Sequence, residues 1–185
     1  MSMKLTLKTV LFSSIATIGA FFAVVYSSCN RDKCKTIVCA NNGVCNGGSC
    51  VCPSGYEGTN CEKVSRNKFL GNWTVFEKGS ITLAAQYPIS IEATTEVYDV
   101  TIKNFYNYFK TPIKATVVGD SLFIPNQQYE GKVLHGVGYI YSNVTYGQFG
   151  AIEMRYQIID TATLKVNDFG FSEAKTFSDP SRWNK

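Results

Sequence analysis

Residues 34–61 read CKTIVCANNGVCNGGSCVCPSGYEGTNC and hold six of the seven cysteines of this 185-residue chain. The six follow the spacing C-x4-C-x5-C-x4-C-x-C-x8-C, and the seventh, Cys29, lies shortly before them. So dense a cluster in a short segment predicts a disulfide framework in an oxidising compartment. A segment of this length cannot bury a sufficient core, so disulfides must supply much of its stability. The spacing alone leaves the pairing open, including which of the seven cysteines stays free.

The N-terminus has the character of an export signal. Lys4 and Lys8 give it a positively charged start, residues 9–25 carry no charge, and two serines stand directly before Cys29. This order predicts a secretory signal peptide over residues 1–28. The alternative is an uncleaved anchor helix over residues 9–26, whose length of about 18 residues is just enough to span a bilayer.

Tyr26-Ser27-Ser28-Cys29 resembles a bacterial lipobox, although Tyr26 stands where leucine is usual. The resemblance implies that Cys29 becomes the first residue and is lipidated, and that residues 29–33 form a short tether. More than one acyl chain on a single residue gives a firm membrane anchor. Asn30 follows the cysteine, and the absence of Asp at that position implies the outer membrane of a Gram-negative bacterium. The expected location is therefore the cell envelope, with the leaflet left open.

Two motifs within residues 34–61 resemble those of EGF-like (epidermal-growth-factor-like) domains. Asn41-Asn42-Gly43-Val44-Cys45 is similar to the N-x-G-x-C turn, and residues 50–61 are similar to the C-x-C-x-x-G-Y-x-G-x-x-C signature. The resemblance implies an EGF-like domain over residues 34–61 with the pairs Cys34–Cys45, Cys39–Cys50 and Cys52–Cys61. It also implies that Cys29 is left unpaired, as lipidation requires.

The cysteine cluster is not interpreted as a metal site. Zinc sites favour paired C-x2–4-C ligands in reducing compartments, whereas this cluster follows an export signal and contains C-x-C. Calcium-binding EGF-like domains carry acidic or amide residues just before the first cysteine, but here Lys33 follows Asp32. Calcium takes about six to eight oxygen ligands, and the short loop between Cys45 and Cys50 does not help to assemble them. We therefore predict no metal and no cofactor.

A polar segment, residues 62–68, predicts a linker, and from Phe69 onward the cysteines stop and an alternation of apolar and polar residues begins. The clearest alternation places Ile152, Met154, Tyr156 and Ile158 against Glu153, Arg155 and Gln157. Predicted strands cover residues 72–77, 87–91, 97–105, 113–118, 121–125, 133–142, 151–159 and 163–169. Because closure removes exposed sheet edges, residues 69–185 are predicted to form an antiparallel up-and-down β-barrel or half-barrel of about eight strands. The predicted fold class is mostly β.

Gly71-Asn72-Trp73, at the start of the first of these strands, resembles the G-x-W motif of lipocalins. The resemblance implies a lipocalin-like domain over residues 69–185, with an arginine near the last strand packed on the tryptophan. Arg155 and Arg182 are the candidates for that arginine. Trp73 itself is interpreted as a core anchor rather than a ligand contact.

Neither the composition nor the motifs predict an enzyme or a nucleic-acid-binding protein. The net charge is +4, and no basic run of the kind that follows a nucleic-acid backbone is present. His135 is the single histidine, and without a nearby nucleophile or acid motif it is interpreted as structural. An enzyme with catalytic carboxylates brought together from distant strands stays open as the least favoured alternative.

The leading hypothesis is therefore a non-catalytic binding module held at the membrane by its N-terminal lipid, with a protein or glycan as partner. Tyr106, Tyr108 and Phe109 are candidate contact residues, because aromatic side chains dominate interface hot spots; the alternative is that they pack the end of the barrel. The second hypothesis is a carrier of a small apolar ligand, for which Gly136, Gly138 and Gly147 would leave room inside the barrel. No specific ligand-binding residue follows from the sequence alone.

Overall fold

The computed structural model describes residues 33–172 and 179–185. The predicted signal peptide, the lipidation residue Cys29 and the tether up to residue 32 lie outside the described residues. Within the two described ranges, no helix combines the length and apolar character needed to cross a membrane.

The N-terminal module contains two short antiparallel hairpins. The first pairs β1 (Val44–Asn46) with β2 (Ser49–Val51), and the second pairs β3 (Tyr56–Glu57) with β4 (Lys63–Val64). Gly47 and Gly48 connect β1 to β2 with φ values of 60° and 98°. Glycine adopts this left-handed region without steric cost, which lets so tight a turn form.

Three disulfides cross-link this module: Cys34–Cys45, Cys39–Cys50 and Cys52–Cys61. These are the same pairs that the EGF-like resemblance implies. Apolar packing contributes little, because the side chains of Val38, Val44 and Val51 are each more than half exposed. The module is therefore an EGF-like domain whose stability rests on its cross-links.

Residues 62–68, the predicted linker, have regular structure. β4 lies in this segment and is followed by a 3-10 helix over Ser65–Lys68. The buried Ser65 donates its backbone N–H to the carbonyl of Gly55 at 2.9 Å. The Arg66 guanidinium donates to the carbonyls of Thr94, Glu96 and Asp99, with distances of 2.9 Å to Thr94 and 3.0 Å to Asp99. The segment therefore fastens the module to the barrel.

The C-terminal domain is an antiparallel, closed, eight-stranded barrel. Seven consecutive strands form a meander: β5 (Gly71–Glu77), β6 (Ala85–Ala93), β7 (Asp99–Lys103), β8 (Ile113–Val118), β9 (Ser121–Tyr129), β10 (Lys132–Asn143) and β11 (Gly147–Asp160). The eighth, β13 (Ser181–Asn184), pairs with β11 on one side and β5 on the other and closes the ring. The predicted mostly-β fold class is confirmed, with a full barrel rather than a half-barrel.

Two strand predictions need correction. The last predicted strand, residues 163–169, corresponds to β12 (Val166–Phe169), which pairs with the end of β11 beside β13. The closing strand β13 is absent from the predicted strands, because four residues are too few for an alternating pattern to stand out. The strand predicted over residues 97–105 is also too long, since β7 ends at Lys103 and a 3-10 turn, Phe105–Asn107, follows.

The barrel interior is filled with side chains. Buried apolar residues from all eight strands form one cluster, and on β11 the predicted inward set, Ile152, Met154, Tyr156 and Ile158, is confirmed as buried. Aromatic rings complete the packing: Tyr156 stacks on Phe169 with ring centroids 4.2 Å apart, and Phe105 packs edge-on against Tyr156 at 4.9 Å. The barrel is therefore a packed core and not an open calyx.

The two ends of the barrel differ. The EGF-like module packs against the end where β7 and β9 begin: Gly55 lies against Val97, and Lys68 forms ion pairs with Glu57 of the module and Asp120 of the barrel. We call this the docked end. The opposite end, formed by the loops over residues 78–84, 104–112, 130–131 and 161–165, is called the distal end.

Candidate functional site

A cleft of about 280 Å³ opens at the distal end of the barrel. Its lining comes from the end of β5, the start of β6 and the loops over residues 78–84 and 104–112, and it includes three tyrosines: Tyr87, Tyr106 and Tyr108. Glu77 is the charged residue of this lining, and Leu83 stands almost fully exposed at the rim. Because ligand pockets usually measure roughly 300–1,000 Å³, this cleft has the size for a small group or the end of a larger ligand.

Glu77 lies at the inner wall of this cleft. It is the last residue of β5 and follows Trp73 and Val75 in the inward alternation of that strand, so its side chain is only 8% exposed. Its Oε1 accepts a hydrogen bond from the Tyr87 hydroxyl at 2.6 Å, and its Oε2 accepts from the hydroxyls of Tyr156 and Ser181, each at 2.7 Å. These donors come from β6, β11 and β13, so one carboxylate links four strands.

The surroundings of Glu77 shift the pKa of its carboxyl group. Burial raises the pKa of this carboxyl above its ordinary value, and the hydroxyls of Tyr87, Ser181 and Tyr156 oppose the shift by stabilising the charged form. Burial also raises the pKa of both tyrosines, so they keep their protons and remain donors. In the described part of the chain, no Lys or Arg forms an ion pair with this carboxylate.

Tyr106 lies between two clefts at the distal end of the barrel. Its side chain lines the first cleft and also a second one, of about 150 Å³, that contains Lys132 and Asp160. Its backbone is left-handed, with φ 58° and ψ 16°, which costs a bulky residue on the order of 1–3 kcal/mol. The Tyr106 hydroxyl accepts a hydrogen bond from Asn167 Nδ2 at 3.1 Å, and the ring packs edge-on against Phe169 at 5.8 Å. These contacts hold Tyr106 in the barrel mouth despite the strain.

The rim loop over residues 78–84 is fastened to β12. Asn167 Oδ1 accepts from the backbone N–H of Ile81 at 3.2 Å, and Asn167 Nδ2 donates to the Thr82 hydroxyl at 3.0 Å. Gly79 permits this approach, since a Cβ there would lie 2.1 Å from Asn167 Oδ1. β12 does not close the barrel, which is the role of β13. It positions the rim of the cleft instead.

Tyr108 already receives one ammonium group on its ring. The Lys132 Nζ lies 4.8 Å from the ring centroid, within cation–π range, and 3.1 Å from Asp160 Oδ2. Hydrogen bonds from Thr163 and Lys132 lower the pKa of Asp160 to about 2. The ion pair and the ring contact thus fix Lys132 in the second cleft, beside the first.

The three aromatic residues predicted to form a contact patch occupy different positions. Tyr106 is partly buried, and Tyr108 is about half exposed and donates its hydroxyl to the carbonyl of Glu130 at 3.2 Å. Phe109 is buried in the core, with its ring 6.3 Å from that of Phe105. The prediction of a surface contact is therefore wrong for Phe109, which packs the barrel end, whereas Tyr106 and Tyr108 line the cleft.

The glycines predicted to leave room inside the barrel do not do so. Gly136 and Gly138 face inward, but a Cβ on Gly136 would lie 2.5 Å from the Tyr156 Cβ, and one on Gly138 would lie 2.7 Å from the Met154 Cε. The missing side chains are thus compensated by large ones on the neighbouring strand β11. Gly147 begins β11 at the hairpin with φ 80°, away from the interior. The expectation of interior space at these positions is wrong.

Trp73 is confirmed as a core anchor. It is buried, and its Nε1 donates to the carbonyl of Phe69 at 2.7 Å. The cation on its ring is Lys185, whose Nζ lies 4.7 Å from the centroid, and neither Arg155 nor Arg182 takes this position. Arg155 instead pairs with Glu153 and donates to the carbonyl of Gly170.

Two other features are less informative for function. His135 points outward from β10, and its ring packs edge-on against Phe171 with centroids 4.6 Å apart. A larger groove, of about 520 Å³, lies between the EGF-like module and the barrel and is lined by residues 52–57, Ser65, Tyr98 and residues 116–119. The carboxylate in that groove, Glu57, already pairs with Lys68 at 2.8 Å. The distal cleft is therefore the better candidate site.

Comparison with known families supports the N-terminal module alone. A family model described as a teneurin-like EGF domain matches residues 37–64. The match spans β1 to β4 and stops before the first barrel strand, so it identifies the module and not the family of the whole chain. No curated protein matches this chain.

Glu77 is not among the site residues predicted from the sequence. The signal was present, because Trp73, Val75 and Glu77 alternate on one face of a predicted strand and an inward carboxylate needs partners. Those partners, Tyr87, Tyr156 and Ser181, are distant in sequence, and Ser181 lies on the strand that was missed.

Proposed function

We propose that this protein is a membrane-anchored extracytoplasmic lipoprotein that acts as a non-catalytic binding module, with the distal end of its barrel as the binding surface. Cys29 carries the lipid, the signal peptide over residues 1–28 is removed, and the protein resides in the cell envelope, in the outer membrane of a Gram-negative bacterium. The partner is a protein or a glycan.

The observation that carries this proposal is the placement of the EGF-like module. The module follows Cys29 by a few residues and packs on the docked end through Gly55, Lys68 and Asp120. The distal end, with the tyrosine-lined cleft and the exposed Leu83, is thereby turned away from the anchored terminus. With the module between the proposed anchor and the barrel, the distal end is the one presented to a partner.

The barrel is proposed to be lipocalin-like. What supports this is the arrangement at Trp73, which belongs to the Gly71-Asn72-Trp73 motif and carries a basic side chain on its ring. The basic residue is Lys185, directly after the last strand, in the place where the lipocalin resemblance implies an arginine. The likeness concerns the docked end of the barrel, where β5 begins and β13 ends.

The alternative function, a carrier of a small apolar ligand, receives less support. Met154 and Tyr156 occupy the interior opposite Gly138 and Gly136, so the core offers no chamber at these positions. A small ligand is accommodated more easily in the distal cleft, of about 280 Å³, than within the barrel.

Metabolic labelling with an alkyne fatty acid tests the anchor. We expect wild-type protein to take up the label and to sediment with membranes, and Cys29→Ser to lose both properties. A Cys29→Ser protein that remains in the membrane fraction without label would instead indicate the uncleaved anchor helix.

Site-specific photocrosslinking on cells tests the binding surface. A photoreactive side chain at Leu83, on the distal rim, is expected to give discrete adducts with protein or glycan, and one at Val118, an exposed position at the docked end, is the matched control. Adducts at position 118 with none at position 83 would assign binding to the wrong end and refute the proposal.

A further inference from the structure

The distal cleft combines one carboxylate with three aromatic rings. Glu77 and Tyr87 come from adjacent strands, while Tyr106 and Tyr108 come from the loop that follows β7. The Tyr106 and Tyr108 ring centroids lie 6.4 Å apart at an angle of 54°, so the two rings are not parallel and present different faces to their surroundings.

The Glu77 carboxylate has an acceptor site to spare. Two carboxylate oxygens offer about four lone-pair sites. Oε2 takes two hydrogen bonds, from Tyr156 and Ser181, whereas Oε1 takes one, from Tyr87, which itself lines the cleft. A donor or a positive charge entering the cleft therefore meets an acceptor held in place by three hydroxyls.

Negative charge beside aromatic faces defines the chemistry of the ligand. Aromatic ring faces attract ammonium groups, and the contact gains strength when the cation is desolvated. Tyr108 shows this property within the molecule, since Lys132 Nζ lies over its ring at 4.8 Å. The buried carboxylate adds a charge that, in the described ranges, is matched by hydroxyl donors rather than by a basic side chain.

We propose that the distal cleft binds an organic ammonium group, with Glu77 supplying the counter-charge and Tyr87, Tyr106 and Tyr108 the aromatic faces. This inference rests on the proposed function as a binding module and specifies the chemical class that its site accepts. The volume of about 280 Å³ fits a headgroup or an amino-bearing side chain, but not a whole lipid. The group is either a free quaternary amine or a primary ammonium carried by a larger partner.

Calorimetric titration of the full chain in detergent tests this inference with three probes. Choline stands for a quaternary ammonium, N-acetyl-lysine amide for a primary ammonium on a protein, and 3,3-dimethylbutan-1-ol is the uncharged isostere of choline. We expect one of the two cations to bind and the uncharged alcohol to bind at least ~10-fold more weakly. Choline binding indicates a free quaternary ligand, and lysine-amide binding indicates a protein-borne one.

Variants then assign the contacts. Glu77→Gln is expected to weaken binding of the cation at least ~10-fold. Because it changes a buried group, its melting curve is recorded in parallel. Tyr108→Leu, at a half-exposed position where misfolding is not expected, should weaken binding ~2–5-fold, and Tyr108→Phe should restore it. Glu92→Gln, a surface carboxylate paired with Lys103 on the outer barrel face, is the control and should bind like wild type.

The inference is overturned if neither cation binds, if the uncharged alcohol binds as well as choline, or if Tyr108→Leu binds like wild type. Such a result would not refute the proposed function. That function is tested by crosslinking at position 83, which does not depend on the charge of the ligand. Conversely, ammonium binding without crosslinks at position 83 would leave a small-molecule site and refute the interaction module.

Discussion

At the scale of single residues, Glu77 is a carboxylate buried at the inner face of the barrel. A carboxylate among apolar residues is costly unless it is hydrogen-bonded, and here three hydroxyls from three other strands satisfy it. The same arrangement ties the stability of the barrel to pH, because burial raises the pKa of Glu77 above its ordinary value.

Glu77→Gln should remove this pH dependence. Below the ordinary glutamate pKa, Glu77 is protonated in both folded and unfolded chains. As the pH rises toward its higher folded-state pKa, the unfolded chain ionises first, so wild-type stability falls, whereas Glu77→Gln lacks this loss. Urea unfolding from about pH 4 to pH 8 should therefore show the variant gaining stability relative to wild type.

The control for this measurement is Glu92→Gln, for which the expected change of stability with pH has the opposite sign. The hydrogen bond from Lys103 lowers the pKa of Glu92, so its contribution is present above the ordinary pKa and is lost as the pH falls. Stability curves for wild type and Glu77→Gln that run parallel across the range would contradict the assignment of a raised pKa to Glu77.

At the scale of strands, two inward glycines on β10 decide how β11 packs. Gly136 faces the Cβ of Tyr156 and the carbonyl of Arg155, which cannot move independently of the backbone, while Gly138 faces the flexible end of Met154. Glycine at these positions is therefore a packing requirement and not a source of cavity.

Gly136→Ala should accordingly destabilise the barrel more than Gly138→Ala. Overpacking typically costs about 1–3 kcal/mol, and we expect that range for Gly136→Ala but a smaller loss for Gly138→Ala, because Met154 can adopt another rotamer. Chemical denaturation of both variants measures the difference. Equal losses would mean that the space near Tyr156 is not as tight as the structure indicates.

The closing strand β13 contributes through Trp183, which is buried and packs edge-on against Phe105 at 6.0 Å. Trp183→Ala should cost about 3–5 kcal/mol, as large-to-small changes in cores do. The neighbouring Arg182→Ala, on the exposed face of the same strand, should change stability by about 0.5 kcal/mol or less. A loss for Trp183→Ala no larger than that of Arg182→Ala would show that β13 is not needed to close the barrel.

The strands that can be predicted from the sequence differ in length from the strand that cannot. Long strands such as β11 repeat their alternation often enough to be predicted, including which face is buried. β13 has four residues and depends on its neighbours β5 and β11 for its place, which is a property of the folded chain. The cleft was missed for the same reason, since Glu77, Tyr87 and Tyr106 meet only after the barrel has closed.

At the scale of the whole molecule, the orientation of the distal end depends on a contact between module and barrel. Gly55 has φ 87°, and a Cβ there would lie 2.6 Å from Val97 Cγ1. Gly47 is also left-handed, with φ 60°, but apart from its two chain neighbours no residue places an atom within 4 Å of the Cβ position. Both glycines thus have a left-handed backbone conformation, but only Gly55 lies against the barrel.

Gly55→Ala should therefore separate the module from the barrel, while Gly47→Ala should not. Both changes place a Cβ in a left-handed residue, at a cost of roughly 1–2 kcal/mol to the module, but only Gly55→Ala adds a collision with Val97. In NMR relaxation, module and barrel amides should report one rotational correlation time for wild type and Gly47→Ala, and two for Gly55→Ala. If Gly55→Ala also tumbles as one body, the ion pairs of Lys68 and the hydrogen bonds of Arg66 suffice for docking, and the rigid presentation of the distal end does not depend on Gly55.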